Sequence, residues 1–142
     1  MKNQRGNQLS DSRIRKFILE TILAIDILHS KNIIHRDLKP SNIFLRGRDY
    51  TVQLGDFGTS CMSLTSTVIE DVGTLLYNSP EILDDPTGKG SNGYDCRTDI
   101  WSLGCCIYQI CNFDVPFIDT TEKGLVNKIK FMKHRSIDPS YP

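Results

Sequence analysis

Between Ser10 and Ser30 apolar residues recur at helical intervals: Ile14, Phe17, Ile18, Ile22, Ile25 and Leu28. That spacing predicts one long amphipathic helix, with Ser10 as its N-cap and Asp11 favourable to the dipole in the first turn. The period then changes. Asn32-Ile33-Ile34 is short and β-branched and predicts a small strand. Ile43-Phe44-Leu45 and Thr51-Val52-Gln53-Leu54 predict a hairpin, with Gly47-Arg48-Asp49 at the turn. Residues 59–72 are polar and rich in hydroxyls, and residues 84–93 (DDPTGKGSNG) are a Gly/Ser/Asp-rich loop. From Thr98 to about Asn112 the chain is apolar nearly all round, which predicts a buried helix. Leu125, Val126, Ile129 and Met132 repeat the helical spacing within Thr121 to Arg135. The expected fold class is mainly α with one small β-hairpin.

Length and charge narrow the function classes. The chain has 142 residues, enough for one domain with a core. Lys+Arg and Asp+Glu both number 17, so no net charge favours nucleic acid or an anionic membrane as a partner. Lys128, Lys130, Lys133 and Arg135 read as a solvated helix face. No apolar run reaches the ~18–20 residues of a membrane span. MKNQRGNQLS lacks the apolar core of a secretory signal, and residues 1–9 read as a linker or the tail of an upstream region. Cys61, Cys96, Cys105, Cys106 and Cys111 show no C-x-x-C spacing. An odd count with an adjacent pair fits reduced thiols better than a disulfide framework or a zinc site. A soluble protein of the cytoplasm or nucleus is expected. Cys105, Cys106 and Cys111 are expected to pack as small apolar side chains.

The candidate chemistry lies in His35-Arg36-Asp37-Leu38-Lys39-Pro40-Ser41-Asn42 and in Asp56-Phe57-Gly58. Phosphoryl transfer from a nucleotide needs oxygen ligands for metal ions on the phosphates, which Asn42 and Asp56 supply. It needs a carboxylate to orient the attacking hydroxyl and accept its proton, a role for Asp37. A cation near the moving group, Lys39, stabilises charge in the transition state. The hairpin carries Asn42 before its first strand and Asp56 after its second, so that both reach one metal cluster.

These residues resemble the catalytic loop and metal-binding loop of eukaryotic protein kinases, and Lys39 resembles the serine/threonine class. Together with Asn42-Ile43-Phe44-Leu45, Ser79-Pro80-Glu81 and Asp99-Ile100-Trp101-Ser102-Leu103-Gly104-Cys105, they are most similar to the NIMA-related kinases. The resemblance implies a protein serine/threonine kinase that uses ATP and Mg2+ on protein substrates. Residues 10–142 then form a partial kinase domain, a C-lobe from the catalytic loop to about the helix G of that family, without the N-lobe or the last C-lobe helices. Phe44 becomes the floor under the adenine, or else an ordinary core phenylalanine. Thr74 becomes the hydroxyl that bonds Asp37 and Lys39, beside Gly73. His35, Arg36, Phe57, Gly58, Glu81, Asp99 and Trp101 take structural or regulatory roles. Asp99 is expected to bond the catalytic-loop backbone, or else merely to complement its helix dipole. Ser63, Thr65, Ser66 and Thr67 become candidate phosphosites for an upstream activating kinase, with Arg36 as the cation that pairs the phosphate. An unmodified solvated loop is the alternative.

The sequence departs from the pattern at Ser79, where many kinases have alanine, and at Leu75, Leu76 and Asn78. It contains no glycine-rich phosphate loop, no strand lysine and no helix glutamate partner. Glu81 has no evident arginine partner, which is expected to weaken the fold. Half a cleft leaves the nucleotide exposed to water, so this polypeptide alone is expected to show little or no kinase activity. The competing readings are a non-catalytic, pseudokinase-like binding module and, more remotely, a metal-dependent phosphatase or nuclease.

Overall fold

Asp11 opens α1 (Asp11–His29), and its first turn is closed by the Ser10 carbonyl, which accepts from the Arg13 and Ile14 amides at 2.9 and 3.1 Å. The computed structural model describes residues 9–60, 75–84 and 95–136. Among these stand β1 (Ile43–Arg46), β2 (Thr51–Leu54), α2 (Pro80–Asp84), α3 (Arg97–Asn112) and α4 (Glu122–Lys130), with one 3-10 turn at Pro40–Asn42. Mainly helical architecture with a single antiparallel hairpin is what the pattern predicts. No helix among the described residues is long and apolar enough to cross a membrane.

Several expectations change in detail. Ser10 caps α1 through its backbone only; its hydroxyl pairs with that of Ser12, 3.1 Å away. The buried stripe of α1 is Ile14, Thr21 and Ile25, whereas Ile22 is 44% exposed. Thr21 is tolerated inside because its hydroxyl donates to the Phe17 carbonyl at 2.7 Å, so no polar group is stranded. Ile22 falls instead with Leu19, Leu23 and Ile27 on an exposed apolar face.

Asn32-Ile33-Ile34 is not a strand; Ile34 alone forms an isolated bridge. Asn32 adopts left-handed backbone (φ 56), its amide reaches the His29 carbonyl (2.9 Å), and the Ile33 amide reaches that of Leu28 (3.0 Å). This is a Schellman ending, and it consumes the residues that the β-branched pattern assigned to a strand.

The hairpin pairs Ile43 with Leu54 and Leu45 with Val52, and Gly47 supplies the positive φ of 74° in its turn. Glu20 fastens it to α1. One of its carboxylate oxygens pairs with Lys16 and the other accepts the Val52 amide at 2.8 Å. These two bonds hold the Glu20 carboxyl below the usual carboxylate range.

Helix α3 runs through the core. Leu103, Cys105 and Cys106 pack on it with Ile25, Leu38, Ile43, Phe117, Leu125 and Ile129, and Tyr108 and Cys111 are also buried on it. Burying each of the larger side chains is worth about 1.5–3 kcal/mol. The three thiols pack as apolar groups, and burial pushes Cys105 and Cys106 up to about 12. The helix is not buried all round: Ile100 and Gly104 face outward.

Thr121 caps α4, accepting the Gly124 amide at 3.1 Å. The helix stops at Lys130 and not near Arg135, because Met132 turns left-handed (φ 53) and the Lys133 amide closes on the Lys128 carbonyl at 2.9 Å. Met132 thereby leaves the buried stripe and is 55% exposed. On the basic face, Lys128 pairs with Asp119 at 3.0 Å, while Lys130 and Arg135 pair with Asp84 and Asp114.

Candidate active site

The segment 35–42 is nailed into the core at three points. His35 is wholly buried, as is Leu38, and Asn42 is buried at the foot of β1. Between them Asp37 and Lys39 stay partly accessible. Apolar and hydrogen-bonded anchors thus alternate with the groups available for chemistry.

Asp37 is oriented from two sides. Lys39 Nζ approaches its Oδ2 at 2.9 Å, and the Asn42 amide donates to the same oxygen at 3.0 Å. The Asn42 amide also lies 2.8 Å from the Asp37 carbonyl oxygen. With its NH2 committed to Asp37, Asn42 presents its oxygen away from it. A five-residue spacing therefore closes into one cluster of Asp37, Lys39 and Asn42.

Asp56 reaches the same end of the hairpin. The Gly55 amide donates to the Asn42 carbonyl at 3.0 Å, joining the two loops just beyond the last ladder pair. Asp56 itself is exposed, with left-handed backbone (φ 58), and the Gly58 amide lies 3.4 Å from its Oδ1. A non-glycine residue in this region costs on the order of 1–3 kcal/mol and persists only where the surroundings impose it. Here the loop junction imposes it.

His35 ties the loops from beneath. Its Nε2 lies 3.0 Å from the Gly55 carbonyl, which only accepts, so Nε2 carries the hydrogen and Nδ1 is left buried without a partner. Its ring meets that of Phe57 at 5.1 Å. Arg36 is also left-handed (φ 66), and its guanidinium donates to the Thr59 carbonyl through Nε (2.8 Å) and Nη2. The Thr59 and Ser60 hydroxyls lie 3.4 Å from the His35 carbonyl.

The anchor for this loop is Asp99, 0% exposed in the first turn of α3. Its two oxygens accept the His35 and Arg36 amides, each at 2.9 Å. Its Oδ2 also faces His29 Nε2 at 2.8 Å. His29 is absent from the sequence-based set. Its only sequence signal is a basic residue in the last turn of α1, and nothing there pairs it with a carboxylate seventy positions on.

The other residues lie as follows. Phe44 is 53% exposed beside the hairpin end, its ring over Gly55, where an added Cβ would come within 2.6 Å of it. Trp101 is half-buried and stacks on Phe117 at 5.8 Å. Glu81 is exposed on α2, and no ion pair of it is found among the described residues. Thr74, Gly73, Ser63, Thr65, Ser66 and Thr67 lie outside the described residues. No group of three or more His, Cys, Asp or Glu side chains placed to hold a metal occurs among the described residues.

Comparison with known proteins gives the family. The family model "Protein kinase domain" matches residues 1–140. The chain is 38% identical over 133 residues to Serine/threonine-protein kinase Nek3 of Oryza sativa subsp. japonica, covering 91% of this chain and 21% of that protein. It is 37% identical over 142 residues to Serine/threonine-protein kinase Nek6 of the same plant, covering 100% and 25%. Against Serine/threonine-protein kinase Nek11 of Mus musculus it is 33% identical over 141 residues, covering 98% and 21%. The chain thus spans about a fifth to a quarter of the length of these relatives. It belongs to the protein kinase domain family, and the relatives just named are Nek serine/threonine kinases.

Proposed function

We propose that this chain is the catalytic-loop part of a protein serine/threonine kinase, which moves the γ-phosphoryl group of ATP to Ser or Thr hydroxyls of protein substrates. The observation that carries this reading is the cluster of Asp37, Lys39 and Asn42 closed by contacts of 2.8–3.0 Å. Asp37 orients the substrate hydroxyl and takes its proton as the oxygen bonds to phosphorus and ADP leaves. Lys39 holds Asp37 in place and sets a positive charge beside the transferring group. Asn42 keeps its amide on Asp37 and its oxygen outward, and Asp56 offers an exposed carboxylate at the same end of the hairpin. Hard oxygen donors of this kind, too few to enclose an ion alone, fit Mg2+ that completes its shell with phosphate oxygens and water. When bound there, Mg2+ neutralises phosphate charge. Phe44, exposed above the loop junction, is the apolar surface for the adenine.

The hydroxyl-rich segment 59–72 is the proposed regulatory loop, with Ser63, Thr65, Ser66 and Thr67 as acceptors for an upstream kinase. Arg36 already reaches its first residue through the Thr59 carbonyl. The test is phosphoryl transfer from labelled ATP by the protein captured from its own cells, beside Asp37→Ala and Asp56→Asn forms. Activity lost in both variants supports the reading. No transfer at any length of the protein favours the non-catalytic binding module. The 142-residue polypeptide alone is expected to be nearly inactive, because the nucleotide phosphates would face open water. Robust turnover by it, abolished by Asp37→Ala, overturns that expectation.

A further inference from the structure

We infer that the cavity between the start of α1, the hairpin and the end of α3 docks a peptide segment of a protein partner, one that sets a large apolar side chain beside acidic residues. The cavity measures about 540 Å³, in the size range of pockets that bury a ligand. Phe17, Ile43 and Ile110 make its walls apolar. Ile43 and Leu45 share one face of β1, yet Ile43 is buried and Leu45 is 53% exposed, so apolar surface continues from the core to the mouth. Tyr50, also 53% exposed, and Leu9 widen that surface. It extends beyond the cavity itself, which suits a chain laid across the mouth better than a compound enclosed within.

Charge selects the occupant. The Arg13 guanidinium lies 5.5 Å over the Tyr50 ring, and Arg13 pairs with no carboxylate among the described residues. Stacking on a ring leaves the N–H edges of a guanidinium free to meet a carboxylate. Lys16, on the wall, is neutralised by Glu20, and Asp49 accepts the Thr51 hydroxyl at 3.3 Å. Arg46 and Arg48, in the same hairpin, are exposed and also without an ion pair among the described residues. The excess of charge at this end is therefore positive. Tyrosine and arginine are the residue types that most often anchor a protein partner, and here they stack on one another. Residues 1–8 (MKNQRGNQ) are a poor complement, because they bring Lys2 and Arg5 and, Met1 apart, no apolar side chain. Asp37, Lys39 and Asp56 are not on the walls, so an occupant leaves the reacting groups clear. Docking here is independent of the kinase reading.

The experiment is calorimetric titration of the blocked peptide acetyl-Glu-Glu-Leu-Phe-Gly-amide into the native-length protein and into the 142-residue chain, beside acetyl-Lys-Lys-Leu-Phe-Gly-amide. The acidic peptide is expected to bind about tenfold more tightly than the basic one, the equivalent of one charge-assisted hydrogen bond. Arg13→Gln is expected to remove that margin while the basic peptide keeps its affinity, and added salt to narrow it. Leu45→Ser is expected to weaken both peptides. Arg13 and Leu45 are both exposed, so the two variants are expected to melt at the wild-type temperature. Equal affinity for the two peptides overturns the proposal, because it marks apolar adsorption only. So does unchanged binding of the acidic peptide in Arg13→Gln or in Leu45→Ser, which places the site elsewhere, or no binding of either peptide. Binding by the 142-residue chain that is lost in the native-length protein also overturns it, since a segment of the protein itself then fills the cavity.

Discussion

Replacing Asp99 by alanine tests a long-range link that holds three donors on one carboxylate. The substitution removes the acceptor of the His35 and Arg36 amides, both at 2.9 Å, and the partner of His29 at 2.8 Å. His29 lies near the surface and can find water, so its loss is cheap. The loop amides are worse placed, since His35 is wholly buried. Each stranded donor costs about 1–3 kcal/mol, and relief from burying the carboxylate offsets part of the sum. The net expectation is a loss of about 3 kcal/mol, a large share of the ~5–15 kcal/mol that holds a domain together. Asp99→Asn keeps one acceptor and turns an NH2 toward the other donor, so it should lie between wild type and alanine. Urea unfolding followed by the single tryptophan, Trp101, reads this directly, because the indole stacks on Phe117 two residues from the change. With an m-value of ~1.5 kcal/mol/M the midpoint should fall by about 2 M in Asp99→Ala. An asparagine variant as stable as wild type would refute the reasoning, since it would mean that shape and not the paired acceptors holds the loop.

Other consequences are smaller but as definite. Folded Cys105 and Cys106 ionise near 12, against 9 for a free thiol, so the unfolded chain binds fewer protons between those values. Stability is therefore full below pH 9 and falls as pH rises toward 12, by about 1.4 kcal/mol per thiol at pH 10. Urea midpoints from pH 7 to 10.5 should show this decline, and Cys106→Ala should reduce its slope. Cys96 is exposed while Cys105, Cys106 and Cys111 are buried, so iodoacetamide on the native protein should modify Cys96 and spare those three until urea is added. Met132→Gly should raise stability by about 1 kcal/mol, because an exposed side chain there sits at φ 53 and glycine adopts that conformation freely. A lowered melting temperature in that variant would count against the Schellman ending of α4.

The elements that were legible in the sequence are those whose signal is local and repeated. The α1 bounds, the two strands of the hairpin and the extent of α3 follow from spacing alone, since each turn or strand restates the same pattern. Endings are different. Asn32 and Met132 both take left-handed backbone and both stop a helix in the same way. Asparagine signals such an ending and methionine does not, so α4 reads too long and Met132 reads as core. Ile33 and Ile34 carry a strand's side chains, but a helix terminator claims the first of them before a strand can form. On α1 the pattern found Ile14 and Ile25 but not the third buried residue. Threonine counts as polar in any pattern, yet Thr21 pairs with its own helix and goes inside while Ile22 stays out.

For the site, what the sequence carries is the inventory and what it lacks is the support. Asp37, Lys39, Asn42 and Asp56 are separated by short spacings, and a loop and a hairpin suffice to bring them to one end. The support comes from pairs that are far apart in the chain: Asp99 with His29, His35 and Arg36, and Glu20 with Val52. No periodicity encodes such a pair, because each is a single contact between elements whose mutual placement is decided by the core. Two residues here, Arg36 next to Asp37 and Asp56 just after the hairpin, take left-handed backbone. Neither is glycine, so each conformation carries a cost that its surroundings offset. The core must hold them there, which explains why a fully buried carboxylate in α3 is aimed at backbone amides and not at a cation. Its burial is tolerable because three donors, two of them fixed by the main chain, surround it in place of water.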